Sequence, residues 1–462
     1  MTFDLLELAQ SRHADKFGLF DRYLNSQLVR VLKTIGYDVD YVRGEGPHLI
    51  DANGNRYLDL LSGFGVFALG RNHPTVAKAL GQVLDARFAG LVQLDVSLLA
   101  GLLAEKLVQR MPWTGKVFFC NSGTEAVEAA IKFSRMATRR SKIVSCHHAF
   151  HGLSYGSLSL TADDMFRQGF EPFVGDCDAV PFNDLGALER ALSRRDVAAF
   201  IVEPIQGKGV NLPAEGYLSQ AEQLCRKYGA LFVADEIQCG MGRTGRFLAC
   251  EHFGVEPDMV LLAKALSGGF VPVGAVVCRT GVFDKVFDRM DKAVVHGSTF
   301  AKNDLAMAAG LATLAAFDEE RLVERAADLG RRLMDGLRRR IGGSEFVHEI
   351  RGMGLMLAIE FGPPASLKLK AAYALMERAN RGLFCQLILL PLFKRHRILA
   401  QVAGHNLPVI KLLPAYVVED TDLTWIEDAF ADVLQDSQSL GSFWESGRML
   451  ATQAMKAKAG AA

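Results

Sequence analysis

Apolar and polar positions alternate along this chain in two rhythms. From about Val66 to about Phe317, short apolar runs are separated by longer stretches with helical spacing. The runs Lys116–Cys120, Ile143–Ser145, Phe200–Val202, Ala230–Ala234 and Met259–Ala263 read as buried strands. Strands alternating with helices predict an α/β fold, with a mostly parallel sheet wrapped by helices. Upstream, residues 1 to about 45 read as an amphipathic helical arm. His48–Asp51 and Arg56–Asp59 flank Asn53-Gly54, a turn pair that favours a β-hairpin. From about Glu319 a second lobe of helices and short strands follows, with a turn at Gly352–Leu355. Within it, Phe384–Phe393 reads as a buried strand running into a solvated turn, Lys394–Arg397. The other reading of that run is a greasy, basic-edged rim for an amphipathic substrate presented from a membrane surface. The Ala/Lys tail after Leu450 reads as loose. No internal repeat is visible, and Phe384–Phe393, interrupted by Gln386 and Pro391, is too short to span a bilayer.

The charge balance narrows the partners. Fifty-two basic side chains match 52 acidic ones, so no global field recruits nucleic acid. With 462 residues and 50% apolar content, the chain has material for two or three lobes around a substantial core. We divide it into an arm with part of a small domain (1–65), a large domain (66–318) and a C-terminal small domain (319–462). The eight cysteines form no C-x-x-C pair and sit mostly in apolar surroundings, as expected of reduced thiols in a cytoplasmic protein. Residues 1–7 carry acids early and lack a basic segment before an apolar core, so no secretory signal is expected.

One lysine carries the chemistry. Lys264 closes the run Met259–Ala263 and opens into Ser267-Gly-Gly269. A lysine at the end of a buried strand is costly to keep charged and easy to deprotonate, which is what an imine-forming amine needs. Upstream, Lys116–Cys120 stops at Asn121-Ser-Gly-Thr-Glu125, where Ser122 and Glu125 have capping-box spacing. A helix starting there would offer free N–H groups to an anion at Gly123 and Thr124. Ala230–Ala234 ends in Asp235, a carboxylate placed to hold a pyridinium nitrogen protonated, where a contact of about 3 Å is worth roughly 5 kcal/mol before desolvation. Together these predict a pyridoxal phosphate site. Read singly, each has a bland meaning: a snorkelling lysine, a helix cap, a turn aspartate. The ordered set gives them their weight.

Two other chemistries leave partial signatures in the sequence. Gly240-Met-Gly-Arg-Thr-Gly245 is a literal G-x-G-x-x-G, but Asp235–Cys239 separate it from its strand and loop continues after it, unlike a nicotinamide-dinucleotide turn of a dehydrogenase. His147, His148 and His151 include an i, i+4 pair, yet the segment reads as loop and no further ligand completes a zinc site. No metal centre is expected.

The runs Asn121-Ser-Gly-Thr-Glu-Ala126, Phe150-His-Gly152, Glu203-Pro-Ile-Gln-Gly207, Asp235-Glu-Ile-Gln238, Gly242-Arg-Thr-Gly245, Ala263-Lys-Ala-Leu266 and Gly297-Ser-Thr-Phe300 resemble those of class III aminotransferases of the ornithine and acetylornithine type. The likeness extends from about Gly46 to about Pro414. It implies PLP fold type I, a covalent cofactor linkage at Lys264 and an Asp235 pairing with the pyridine nitrogen. It further implies Phe150 stacked on the ring, Gln238 near the ring hydroxyl, and Gly123 and Thr124 on the phosphate. Ser122, His151, Glu203 and Ser298 join the cofactor-binding set. Thr299 would reach the phosphate of a neighbouring subunit, implying a homodimer with shared sites.

The same resemblance implies transfer of an amino group from a small-molecule donor, glutamate by default, to a carbonyl acceptor. Lys264 would serve as the base for the proton shift. Ornithine or diamine transamination, and mutase, racemase or decarboxylase outcomes, stay open because the pocket decides among them. Where the ornithine-type enzymes carry a glutamate that shields a carboxylate-binding arginine, this chain has Lys208; where they carry that arginine, it has Lys411. Lysine cannot grip a carboxylate bidentately, so an ordinary amino acid pair is in doubt. Phe64 and Phe67 are expected near the pocket entrance. The combination of Gln206–Asn211, Val295–Asn303 and the apolar run 384–393 looks like a subgroup that aminates hopanoid side chains, with peripheral membrane contact.

Overall fold

The computed structural model describes residues 3–92, 94–367, 369–371, 373–374 and 383–437; the tail after Leu450 lies outside them. Helices Leu5–Ser11, Lys16–Tyr23 and Ser26–Ile35 form the expected arm, and of their residues only Val29 is buried. The arm ends earlier than expected. Strand β1 (Tyr41–Glu45) already pairs antiparallel with β2 (His48–Asp51), and β2 turns through Asn53-Gly54 into β3 (Arg56–Asp59). Asp51 Oδ1 accepts from the Asn53 and Asn55 N–H groups at 2.9 and 2.8 Å, which fastens the turn.

The central sheet contains β4 (Gly115–Cys120), β5 (Lys142–Cys146), β6 (Cys177–Val180), β7 (Val197–Val202), β8 (Leu231–Asp235), β9 (Met259–Leu262) and β10 (Gly274–Arg279), in the spatial order 4-10-9-8-7-5-6. The run from β9 to β6 is parallel; β10 alone is reversed, antiparallel to both β4 and β9. Side chains alternate between two cores. On β8 and β9, Phe232, Ala234, Val260 and Leu262 face one core, while Val233, Met259 and Leu261 face the other. That period of two is the pleat, and burial on both faces explains why these strands read as continuous apolar runs. Helix Gly123–Thr138 covers one face through Ala126, Val127, Ala130 and Phe133, and helix Asp304–Glu319 packs in the other core.

A third sheet, β11 (Val347–Met353), β12 (Met356–Phe361), β14 (Gln401–Val402) and β15 (Val409–Leu412), is antiparallel throughout, and the predicted turn at Gly352–Leu355 joins its first two strands. The short β13 (Ile398–Leu399) instead pairs in parallel with β3, so the first sheet draws on both ends of the chain.

Residues 384–393 are not a strand. They lie in helix Leu383–Lys394, with Pro391 inside it. The run is apolar all round and contains one β-branched residue, Ile388; hydrophobicity alone cannot separate a buried helix from a buried strand, and here the length favours the helix. Phe384, Ile388 and Leu392 are fully buried, with Phe384 stacked among Phe346, Phe361 and Tyr373. A greasy rim at this position is therefore absent. No helix among the described residues is long and apolar enough to cross a membrane.

The loop Gly240–Gly245 opens no helix. Gly242 and Gly245 have φ of +80° and +88°, and the buried Arg243 between them donates Nη1 to the carbonyls of Leu355 (3.1 Å) and Pro414 (2.5 Å). The loop ties the central sheet to the third sheet, which removes the dinucleotide reading.

Candidate active site

Strands β4, β5, β7, β8 and β9 all deliver their C-terminal ends to one edge of the sheet, where open α/β sheets bind ligands. The connections leaving those ends line a cavity of ≈ 1240 Å³. Lys264, Asp235 and Gln238 lie on it, as do Ser122, Gly123 and Thr124. Phe150, His151 and Glu203 complete the cofactor set gathered there, joined by Phe64, Lys208 and Lys411.

Three expected residues do not line it. Phe67 lies under the Arg71 guanidinium at 4.2 Å and fills the space beside Gly269, so it braces the wall instead of facing the entrance. Ser298 is one step removed: its Oγ accepts from Asn121 Nδ2 at 2.6 Å. Thr299 is exposed and does not line this cavity. Ile237 and His405 were missed by sequence reasoning. Ile237 sits in the turn just after β8, inside the run Asp235-Glu-Ile-Gln238, and that position was the available signal. His405 stands in a loop with no periodic cue.

Lys264 follows Ala263 directly and has a left-handed φ of +46°. Such a conformation is costly for a residue with a Cβ, and it occurs where surrounding structure over-determines it. Burial pushes its ammonium below the usual lysine range, against the opposing pull of Asp235 and Glu203.

Asp235 accepts from His151 Nδ1 at 2.7 Å and from the Ile237 N–H at 3.1 Å. Burial works against charge on the imidazole, but Asp235 and then Glu203 outweigh it, so His151 titrates above its ordinary value. Its Nε2 is buried with no partner among the described residues. Glu203 is raised by burial first, although it accepts from the Phe150 and Gly207 N–H groups at 3.2 and 3.0 Å. Because His151 is committed to Asp235 while His147 and His148 are exposed, the three histidines do not converge as a metal site.

Ser122 is the N-cap of helix Gly123–Thr138, its Oγ accepting from Glu125 N at 3.3 Å, while Glu125 reaches back to Asn121 N at 2.7 Å. The Gly123 and Thr124 N–H groups find no protein acceptor among the described residues and face the cavity. Thr124 Oγ1 meets Ser154 and Ser157 Oγ, each at 2.6 Å. A helix N-terminus with free donors, a hydroxyl cluster beside it, a carboxylate–imidazole pair and a weakened lysine ammonium together fit pyridoxal phosphate. Phe150 offers an aromatic face in the same wall.

Lys208 and Lys411 are both engaged. Lys411 Nζ donates to Gly207 O at 2.8 Å and Gln238 Oε1 at 3.1 Å; burial, and then the charge of Lys264, bring its pKa down to about 7. Gln238 in turn donates Nε2 to Phe64 O at 3.0 Å. Lys208 forms an ion pair with Asp163.

The sequence profile described as Aminotransferase class-III matches residues 33–434. The chain is 42% identical to a putrescine aminotransferase of Pectobacterium atrosepticum over 358 residues, 74% of this chain and 76% of that one. It is 33% identical over 455 residues to the aminotransferase PigE of a Serratia species, which covers 91% of this chain and 53% of PigE; the chain spans about half the length of that relative. The crystal structure of ornithine aminotransferase from Toxoplasma gondii superposes with a TM-score of 0.81 at 30% identity, over 94% of this chain and 98% of that one.

Proposed function

The chain belongs to the class III aminotransferases, a pyridoxal-phosphate-dependent family, and from that premise we propose that it moves an amino group from a glutamate-type donor to the carbonyl of an amphipathic acceptor, a hopanoid side-chain aldehyde. The observation that carries the transaminase reading is the convergence of Lys264, the Asp235–His151 pair and the free N–H groups of Gly123 and Thr124 on one cavity.

When bound, pyridoxal phosphate supplies an electrophilic carbonyl and an electron-withdrawing ring. Lys264 is the amine that would hold it. With its charged form disfavoured by burial, the neutral amine can take a proton from the substrate's amine-bearing carbon and return it elsewhere. Asp235, oriented by His151, would keep a proton on the ring nitrogen. The helix start at Ser122–Thr124 would hold the phosphate, and Phe150 would shield one ring face from water.

The acceptor reading rests on the motif combination in 206–211 and 295–303 and on size. At ≈ 1240 Å³ the cavity exceeds the roughly 300–1,000 Å³ common for small-molecule sites, and Phe64, Phe166, Phe270 and Val271 give it apolar walls. Any membrane contact then falls to the arm, where Phe3, Leu5 and Leu6 are exposed. A homodimer is supported by Met290, Val294 and Phe300, exposed at 96, 90 and 63% on the segment that carries Thr299. The free cysteines, all but Cys177 buried, support a cytoplasmic setting.

The 42% identity to a putrescine aminotransferase favours a second reading, a diamine donor. A half-reaction screen separates them: loss of the visible cofactor band with glutamate, then amination of a short hopanoid-type aldehyde, supports the first. Rapid reaction with putrescine or ornithine, and none with glutamate, overturns it.

A further inference from the structure

Among the described residues no arginine lines the cavity; its lysines are Lys208, Lys264 and Lys411 and its histidines His151, which is paired with Asp235, and His405. Lys264 is taken up by the chemistry. Lys411 is buried and bonded to Gly207 O and Gln238 Oε1, and His405 is an exposed loop residue. That leaves Lys208 as the cation available to a substrate. Its ammonium lies 4.5 Å from the centre of the Phe166 ring and 5.6 Å from that of Phe150, so two aromatic faces fix its direction.

Its loop is firmly held. Arg351 donates to Gly209 O at 2.7 Å and to Val210 O at 3.0 Å, and Asn211 Nδ2 reaches Lys208 O at 3.3 Å. Its partner is less constrained. Asp163 caps the four-residue helix Asp164–Arg167, whose Met165 is 60% exposed. The ion pair itself is shielded, with side chains 13% and 20% exposed.

We propose that Lys208 is the seat for the distal carboxylate of a dicarboxylate substrate, and that Asp163 is the built-in carboxylate that occupies this seat when the bound substrate carries no such group. The inference deepens the function proposed above by resting on its glutamate-type donor. It explains how one cavity accepts a dicarboxylate and an uncharged partner in turn: the cation stays, and the carboxylate on it is exchanged. An uncharged acceptor meets a neutralised pair instead of a bare ammonium.

The test is binding of glutarate and of valerate, which lacks the distal carboxylate, to cofactor-loaded enzyme, read by calorimetry and by perturbation of the visible band. Wild type should prefer glutarate. Lys208→Met should lower that preference about tenfold or more, the loss expected of one charge-assisted bond, with Lys208→Gln repeating it at nearly unchanged volume. Asp163→Asn should act in the opposite sense and tighten glutarate severalfold. Equal affinity of wild type for the two acids would overturn the seat, as would weakening by both substitutions alike, the mark of a merely structural pair. Loss of 1,4-diaminobutane reactivity in Asp163→Asn with glutarate binding unchanged would assign the pair to a cationic substrate and also overturn it. Failure to form the visible band would count against the proposed function; calorimetry would still decide the seat.

Discussion

His151 Nδ1 stands 2.7 Å from Asp235 Oδ2, with both side chains buried in the cavity wall. The imidazole fixes the orientation of the carboxylate and, with its pKa raised chiefly by Asp235 against the cost of burial, shares its charge. Asp235→Asn keeps the shape and removes the charge that holds a proton on the ring. The expected result is a fall in kcat on the order of a hundredfold or more with an unchanged circular dichroism spectrum. Near-normal kcat would contradict the assigned role.

Gly152 bears on the phosphate end. Its φ is +125°, and a Cβ there would lie 2.5 Å from Thr124 Oγ1 and 2.8 Å from Ser157 Oγ. Gly152→Ala should displace the hydroxyl cluster beside the helix N-terminus and weaken cofactor retention by about tenfold, the scale of one good hydrogen bond to a charged group. Equilibrium dialysis against pyridoxal phosphate measures it. Retention equal to wild type would show that the cluster does not support the phosphate.

Lys411 links stability to pH. Its folded pKa of about 7 lies below the ordinary lysine value of 10.5, so between those values the unfolded chain binds the extra proton. Wild-type stability therefore rises with pH across that window. In Lys411→Met this component disappears. The stability of the variant relative to wild type should be greatest near pH 7 and decline toward pH 10.5, by at most about 5 kcal/mol at ~1.4 kcal/mol per unit. Urea titrations of both proteins at several pH values decide it; a pH-independent difference would refute the depressed pKa.

Asp422 has the opposite sign. Burial alone would raise its pKa, but His48 Nε2 at 3.0 Å and the Glu419 N–H at 2.9 Å outweigh that, so the folded value is depressed. Its contribution is present above the ordinary carboxylate value of 3.8 and is lost as pH falls through the folded value. Asp422→Asn should lose stability near neutrality and show a shallower decline in acid than wild type. Parallel acid titrations of the two proteins would contradict this.

Much of this was legible in the sequence because the determinants are local. A strand buried on both faces must be apolar throughout, and a capped helix follows its capping residue, so Met259–Leu262 and Ser122 announce themselves. The cofactor-side residues occur in short ordered runs at strand ends, and the sheet brings those ends together. What stayed hidden depends on tertiary context. Leu383–Lys394 is apolar nearly throughout, so its pattern does not separate helix from strand, and its burial against Phe346 and Phe361 is set by distant parts of the chain. Phe67 lies against Arg71 and Gly269 and does not line the cavity. Asp163 meets Lys208 across 45 positions of sequence, from a loop without periodicity.

The central claim is that Lys264 carries the cofactor. Loading the protein with pyridoxal phosphate, reducing it with borohydride and mapping its peptides tests this directly. A single pyridoxyl group on Lys264, absent from Lys264→Ala, is the predicted result. A pyridoxyl group on Lys411 or Lys208 with Lys264 unmodified would contradict the account.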